Sequence, residues 1–470
     1  MDFEVLTPKQ RVEHVQGLVD RHTRATMAAA AECRRHYQTE NPAIMGRTKS
    51  YASAETVTDK ATGLETMHAV AKENRFAANE KVASSHFRDI TDQKVAYIMG
   101  EGADVTADGE SEADAETVKL VTRQIARQLR RIGQRCLTDA LVYSHGYAYL
   151  QVIAGRLRLN FTSYTEVIAE HNDAGELDAV CRYWKSGKTE RAEYHTASKV
   201  WSYEAKPGED WQETGERWQI EQFTVYPDGT AERSGGRGWH RLPWFELNHN
   251  NEGTSSLTNA AKTMIRCYDI VTSDFANNLI DMQDVFVTLK ADNGYGSGME
   301  YGEIIEMLKA FKVAEGVEGV QAFEIPYQAR QVLLDLMDKS IYKTLRGVDV
   351  GRIANGNLIN NAIRALYSDI DLWADQCEWH LEEWTRDIVD AAAWYLGIEM
   401  PEYSITFQRR VLFDEVQQMQ ALAAQKGVIS NKTIYENHPL VSDAQAEIER
   451  VEAEEAGAAY AIGVPVGAVE

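Results

Sequence analysis

The stretch LRGVDVGRIANGNLINNAIRAL, Leu345 to Leu366, sets two helix-favouring runs on either side of an interruption rich in glycine and asparagine, with no proline to force it. Gly351 and Gly356 open backbone angles that other residues resist, so the break reads as a loop wanted for its own sake. Downstream, Ile359, Ile363, Leu366, Ile370, Trp373, Cys377, Leu381, Trp384 and Ile388 step by threes and fours, the period of one helix face. Such a helix would span about 60 Å, several times an ordinary globular element. It predicts an elongated subunit.

Upstream, Leu333, Leu336, Met337, Ile341 and Leu345 share one side of a helix from Arg330 to Arg346. A second apolar stripe, Leu257, Ala261, Met264, Tyr268, Val271, Phe275, Met282 and Phe286, marks a helix about 45 Å long whose start GTSS offers capping hydroxyls. VFVTLKAD, EYGEIIEMLKAFK and VQAFEIP between them predict a strand-helix-strand insertion over Val285 to Pro326. The two helices are therefore expected to return along each other as a stalk with a small domain at its far end.

Further upstream the period changes to two. YAYLQVIAGRLRLNFTS, AVCRYWKS, KVWSYEAK and WQIEQFTVYPDGTAE alternate between turn signals, predicting an antiparallel β region from about Tyr147 to Asn248 with its tryptophans in the sheet core. Before it, helices are expected at Thr7 to Arg35 and Phe76 to Gly100, with a polar loop between them. An acidic linker is expected at Glu101 to Thr117, followed by a helix from Val118 to Ser144. Arg123, Arg127, Arg130, Arg131 and Arg135 on that last helix form either a solvated face or a contact to a subunit or phosphate. The end, after Pro401, reads as short acidic helices and an Ala/Gly tail. The class is α+β, mainly helical.

Lys and Arg number 49 against 72 Asp and Glu, a net charge of −23, which repels nucleic acid and anionic membranes at long range. Tight DNA wrapping is disfavoured, whereas a wall past which DNA slides gains from holding no phosphate firmly. The five cysteines, Cys33, Cys136, Cys181, Cys267 and Cys377, have neither disulfide-framework nor zinc spacing. No apolar run is long enough for a membrane span, and MDFEVLTPKQRVEHVQGL lacks the apolar core of a signal peptide. These features predict a reducing cytosol.

The sequence contains no GxxxxGK[ST], HExxH, GxSxG or glycine-rich dinucleotide turn, so neither the phosphate cradle of a motor ATPase nor a familiar hydrolase signature is present. Asp369, Asp371 and Asp375 raise the alternative of a metal-dependent nuclease. Only Asp371 and Asp375 share a helix face, however, and two carboxylates make a poor magnesium cage. Cys377 and His380 lie one turn apart, but Cys377 belongs to the apolar stripe. His145, before a glycine at a helix-to-strand corner, reads as a hydrogen-bonded corner residue. A helical scaffold or adaptor is the other alternative. No cofactor, metal or catalytic residue is expected.

In order along the chain, KENRFAANEKVASSHFRDITDQKVAYIMGEG, HGYAYLQV, LPWFELNHNNEGTSSLTNAAKTMIRCYDIVTSDFANNLIDMQDVFVTLKA, QARQVLLDLMDKSIYKTLRGVDVG and ALYSDIDLWADQCEWHLEE resemble the portal proteins of tailed bacteriophages with siphophage-type heads. The resemblance runs from about residue 70 to 450. It implies a ring, usually of twelve copies, at one capsid vertex of the virion, assembled in the host cytoplasm. Double-stranded DNA would pass through the ring during packaging and ejection. The implied partners are the terminase large subunit, a head-completion or adaptor protein, the scaffold and the major capsid protein, with no membrane.

It further implies a wing over 1–253, β-rich at 147–248, a stem helix over 254–284, a clip over 285–326 and a second stem helix over 327–347. A tunnel loop over 348–357, a long kinked helix over 358–400 returning to the wing, and a crown with tail over 401–470 complete the plan. In the loop and at its root, Val348, Asp349, Gly351, Arg352, Asn355, Gly356 and Asn357, with Arg346 before them, are the residues placed toward DNA. Arg346 and Arg352 are the candidate phosphate contacts, weak and salt-sensitive as sliding requires. Asp269, Asp274, Asp281 and Asp284 on the first stem helix either repel DNA from the bore or pair with Lys339, Lys343 or Arg346 of a neighbouring copy.

Overall fold

A computed structural model describes residues 3–58, 65–73, 78–109, 111–153, 155–225, 231–284, 327–349, 360–409, 430–436, 445 and 447–451. The chain divides into two compact units, Met1–Val348 with Asp369–Arg409, and Asp349–Ser368 with Arg410–Glu470. The expected insertion at Val285 to Pro326, the loop residues Gly351, Arg352, Asn355, Gly356 and Asn357, and most of the crown lie outside the described residues. The expected α+β class is observed. Every paired strand runs antiparallel to its neighbour.

Helix α1 (Pro8–Tyr37) starts from a capping box. Gln10 N–H donates to Thr7 Oγ1 at 3.4 Å, Thr7 N–H donates to Gln10 Oε1 at 3.0 Å, and Pro8 supplies the preset first-turn φ. Its buried side, Val15, Leu18 and Val19, packs on Cys181, Tyr183, Tyr194, Trp201 and Tyr203. Those residues belong to the five-stranded sheet β10-β9-β8-β7-β6, formed by Val167–His171 (β6), Leu177–Ser186 (β7), Thr189–His195 (β8), Lys199–Ala205 (β9) and Gln212–Trp218 (β10). Phe3 stacks on Tyr194 with ring centroids 3.8 Å apart. Trp201 and Trp244 are buried on their strands and Trp211 and Trp239 beside them, whereas Trp184 and Trp218 are half-buried, so the sheet-core expectation holds for part of the tryptophans.

After the short helix α2 (Pro42–Met45), the polar loop expected before residue 76 contains a hairpin, β1 (Ser50–Thr58) with β2 (Glu65–Glu73). Neither SYASAETVT nor ETMHAVAKE alternates apolar with polar residues, which is why periodicity passes over it. Helix α3 occupies only His86–Met99, shorter than the expected Phe76 to Gly100. The acidic linker holds strand β3 (Ala103–Ala107), which pairs with β14 (Tyr403–Phe407) some three hundred residues away.

Helix α4 (Glu112–Val142) carries the arginine row, all five of which are exposed. It packs on a three-stranded sheet, order β13-β4-β5, of His145–Ile153 (β4), Arg156–Thr162 (β5) and Trp244–Asn248 (β13). A further hairpin pairs Ile220–Val225 (β11) with Ala231–Arg237 (β12). At the corner between α4 and β4, a Cβ on Gly146 would lie 2.0 Å from the Cys136 carbonyl oxygen, so only glycine lets the strand leave there.

Helices α5 (Asn259–Asp284) and α6 (Tyr327–Leu345) do return along each other, with Met264 beside Thr344 and Phe275 beside Tyr327. The two serines of GTSS serve the preceding helix, Ser255 Oγ donating to the Val142 carbonyl at 2.6 Å and Ser256 Oγ to that of Leu141 at 2.9 Å, while Thr254 Oγ1 accepts from Asn250 Nδ2 at 3.3 Å. Thr258 instead caps α5, its Oγ1 accepting from Ala261 N–H at 3.3 Å. Helix α7 spans Asn360–Leu396 and buries Ile370, Trp373, Cys377, Leu381, Trp384 and Ile388, the expected stripe. Helix α8 (Asn431–Glu436) is a described element of the second unit. No helix among the described residues is long and apolar enough to cross a membrane.

Candidate functional site: the paired helices and the C-terminal end of α6

Helix α6 ends in a Schellman motif: Gly347 N–H donates to the Tyr342 carbonyl at 2.8 Å and Arg346 N–H to that of Lys343 at 3.2 Å. The left-handed residue of that motif is Arg346, at φ 52°, where glycine is the usual occupant. A non-glycine residue there costs about 1–2 kcal/mol, strain that functional segments often carry. The exposed Arg346 guanidinium donates to Gln376 Oε1 on α7 at 3.3 Å. Lys339 and Lys343 are exposed on α6.

The next residues are held by α3. A Cβ on Gly347 would lie 2.8 Å from the Ile90 side chain, so the backbone sits against that residue. Val348 is buried, and both of its backbone polar groups go to one side chain. Its N–H donates to Gln93 Oε1 at 2.8 Å and its carbonyl accepts from Gln93 Nε2 at 2.9 Å. One residue along, buried Lys94 places its ammonium 4.8 Å from the ring centroid of Trp373. Burial lowers Lys94 to a pKa of about 7; Cys377 opposes that shift and Arg346 adds to it. Burial likewise pushes the Cys377 thiol up to about 12 and lowers His249 to about 4.

The carboxylates of α5 do not behave alike. Asp269 corrects the expectation: it is fully buried within the subunit and faces neither a bore nor a neighbour. Its Oδ2 accepts from Asn41 Nδ2 at 2.7 Å and its Oδ1 from Ser84 N–H at 2.9 Å. One and two turns on, Ser273 Oγ accepts from Val82 N–H at 3.0 Å, and Asn277 Oδ1 accepts from Glu80 N–H at 2.6 Å. Asn277 Nδ2 also donates to the Glu80 carbonyl at 3.0 Å.

Every fourth residue of α5 thus meets every second residue of the segment before α3. Four helical residues rise about 6 Å and two extended residues about 6.6 Å, so the two periods keep step. This side-chain ladder supplies backbone partners that a helix would otherwise have supplied, and residues 78–85, within the expected helix, are not helical. Asp274 lies outside the ladder and pairs with Arg47 at 3.5 Å, both partners nearly half exposed. Asp281 and Asp284 belong to α5, but their side chains lie outside the described residues.

Of the nuclease candidates, Asp369 is exposed, and Asp371 and Asp375 are otherwise engaged. Asp371 accepts from the Tyr97 hydroxyl, and Arg409 lies 3.7 Å from Asp371, 2.7 Å from Asp375 and against Glu378. An arginine occupies the position a cation would need. Among the described residues no group of three or more His, Cys, Asp or Glu could hold a metal ion. His380 bonds Asn251 Oδ1 at 2.9 Å while Cys377 faces the core. His145 is a corner residue: its Nδ1 lies 2.6 Å from Ser144 Oγ, and its Nε2 lies 3.6 Å from Glu246. Glu246 is already bound by His171 and Tyr147, each at 2.7 Å, and Ser144 is buried, so the trio is no accessible nucleophile site.

Gln93, Gln376, Asn41, Ser273 and Asn277 were not among the residues expected at this site. The row Asp269, Ser273, Asn277, polar at helical spacing on an amphipathic helix, was a usable signal. Gln93 carried none.

With this geometry in view, comparison with known proteins is decisive. The family model described as phage portal protein, SPP1 Gp6-like, matches residues 30–460. The chain belongs to the phage portal protein family. The portal protein of Bacillus phage SPP1 is 24% identical over 466 residues, covering 94% of this chain and 86% of the relative. The portal protein of Clostridium phage phiCD119 is 22% identical over 403 residues, covering 80% and 85% respectively. Among solved structures, a chain of the native gene transfer agent virion aligns at 14% identity and a TM-score of 0.36, covering 74% of this chain and 86% of that one. A chain from the neck of the native gene transfer agent particle, computed with C12 symmetry, aligns at 15% identity and 0.32, covering 76% and 88%. As a portal protein, this chain is a virion head-to-tail connector component.

Proposed function

We propose that copies of this chain, twelve in the complete assembly, form a ring at one capsid vertex through which double-stranded DNA enters during packaging and leaves at ejection. The observation that carries this reading is the portal-family match over residues 30–460. The antiparallel stem pair α5 and α6 gives it a physical form, with Val332, Leu333 and Leu336 more than two-fifths exposed on a subunit taken alone, a face that a neighbouring copy would cover. In this reading the segment after Val348 borders the bore, and Arg346, Asp349 and Arg352 present charge there. The net charge of −23 keeps phosphates from adhering. Val285 to Pro326 docks the terminase large subunit during packaging and an adaptor protein afterwards, while scaffold and major capsid protein surround the ring. Force comes from the partner's ATP hydrolysis, since the sequence has no Walker lysine.

The test is the purified full chain imaged down its axis and weighed by native mass spectrometry. Closed rings with a central hole wide enough for a duplex support the reading; a chain monomeric at high concentration and inside assembling heads overturns it. Deleting Val285 to Pro326 is expected to preserve soluble subunits and abolish terminase binding.

A further inference from the structure

We infer that Gln93 is the positioning residue for the inner loop: its carboxamide fixes where the chain leaves the second stem helix, and so where the loop starts relative to the bore. The inference rests on the portal reading for the loop's role, but the clamp itself is independent of it. Residue by residue, the chain from Leu345 to Val348 is pinned in three ways. Leu345 is buried against Ile90 and Phe87. Gly347 abuts Ile90 with no room for a Cβ. Val348 gives both its N–H and its carbonyl to Gln93, at 2.8 and 2.9 Å.

A carboxamide is the side-chain group whose donor and acceptor stand side by side as those of a paired strand do, so Gln93 stands in for a one-residue sheet partner. Asparagine, one carbon shorter, falls short of the same pair of atoms. Val348 is the last residue of the first unit's run from Met1, so the clamp grips the residue immediately before 349–368. The left-handed Arg346, tied to Gln376, sets the direction of exit. Because Gln93 sits on α3 and is only half-buried, its amide contributes to placement without filling the core.

The experiment compares wild-type, Gln93→Ala and Gln93→Glu subunits for ring assembly, amide hydrogen exchange at Val348 in assembled rings, and the yield of DNA-filled heads. Glutamate keeps the acceptor for the Val348 N–H and loses the donor to its carbonyl, with the side-chain length unchanged. Expected are normal rings, exchange at Val348 about tenfold faster for alanine and less for glutamate, and a severalfold fall in DNA-filled heads in the same order. Should alanine prevent folding, the glutamate variant is read alone. Unchanged Val348 exchange overturns the clamp. Faster exchange with wild-type yields of filled heads overturns its positioning role. Wild-type chains that form no ring count against the portal reading and leave the Val348 result to stand by itself.

Discussion

Lys94→Met is the sharpest test of the buried ground on which the loop root rests. Burial lowers the Lys94 pKa from 10.5 to about 7, so the folded chain binds this proton less tightly than the unfolded chain does. Between about pH 7 and 10.5 the unfolded state holds more of the proton, and the wild-type chain gains stability from this group as pH rises. Below about pH 7 the ammonium is charged in both states and its full burial cost is present. A shift of that size corresponds to about 5 kcal/mol.

Methionine has nearly the same shape and no charge, so Lys94→Met should stabilise the chain by up to about 5 kcal/mol at pH 6. The gain should shrink by up to about 1.4 kcal/mol per pH unit above neutrality, and vanish near pH 10. Urea unfolding followed by tryptophan fluorescence, at one fixed protein concentration and several pH values, reads this directly. Taking the difference between variant and wild type cancels the buried tyrosines and the cysteines other than Cys377, whose thiol Lys94 itself influences. A difference that does not change with pH, or a variant less stable at pH 6, would refute the account of Lys94 as a buried charge.

Asn277→Leu strands the Glu80 N–H and carbonyl together and should cost about 2–3 kcal/mol in urea unfolding, with faster amide exchange at Glu80 and Val82. Gly347→Ala drives a Cβ into Ile90 and should cost about 1–3 kcal/mol, of which the double variant with Ile90→Val recovers part; equal melting of Gly347→Ala and wild type would contradict the close packing. Gly351→Val with Gly356→Val should leave rings intact while lowering packaged-DNA yield, and normal yields would dissociate the loop from DNA passage. Purified chain with magnesium should leave duplex DNA uncut, and Asp371→Ala should change nothing in that assay, because Arg409 and Tyr97 already engage this carboxylate.

The readable parts of this protein are those in which a residue's neighbours along the chain determine its surroundings. The stripe from Ile370 to Ile388 and the alternating strands between Tyr147 and Asn248 each bury one face at the period of their own backbone, and α5 and α6 stand where periodicity puts them, although of the α6 stripe only Ile341 and Leu345 are buried within the subunit. The hairpin Ser50–Thr58 with Glu65–Glu73 went unread because its strands lack that alternation. The two serines of GTSS were assigned to the wrong helix because capping chemistry is the same for any orphaned terminus in reach.

The amino-acid sequence by itself determined the α+β class, the stalk of paired helices, the absence of familiar ATPase, hydrolase and dinucleotide motifs, and a family likeness spread over most of the chain. Only tertiary structure decided which polar residues turn inward. Asp269 lies off the apolar stripe and reads as a surface carboxylate, yet Asn41 and Ser84, more than 180 residues away, bring the hydrogen-bond donors that make its burial tolerable. Gln93 holds Val348 across 255 residues for the same reason. A polar group's fate depends on the partner it meets in space, and the order of residues along the chain does not record that partner.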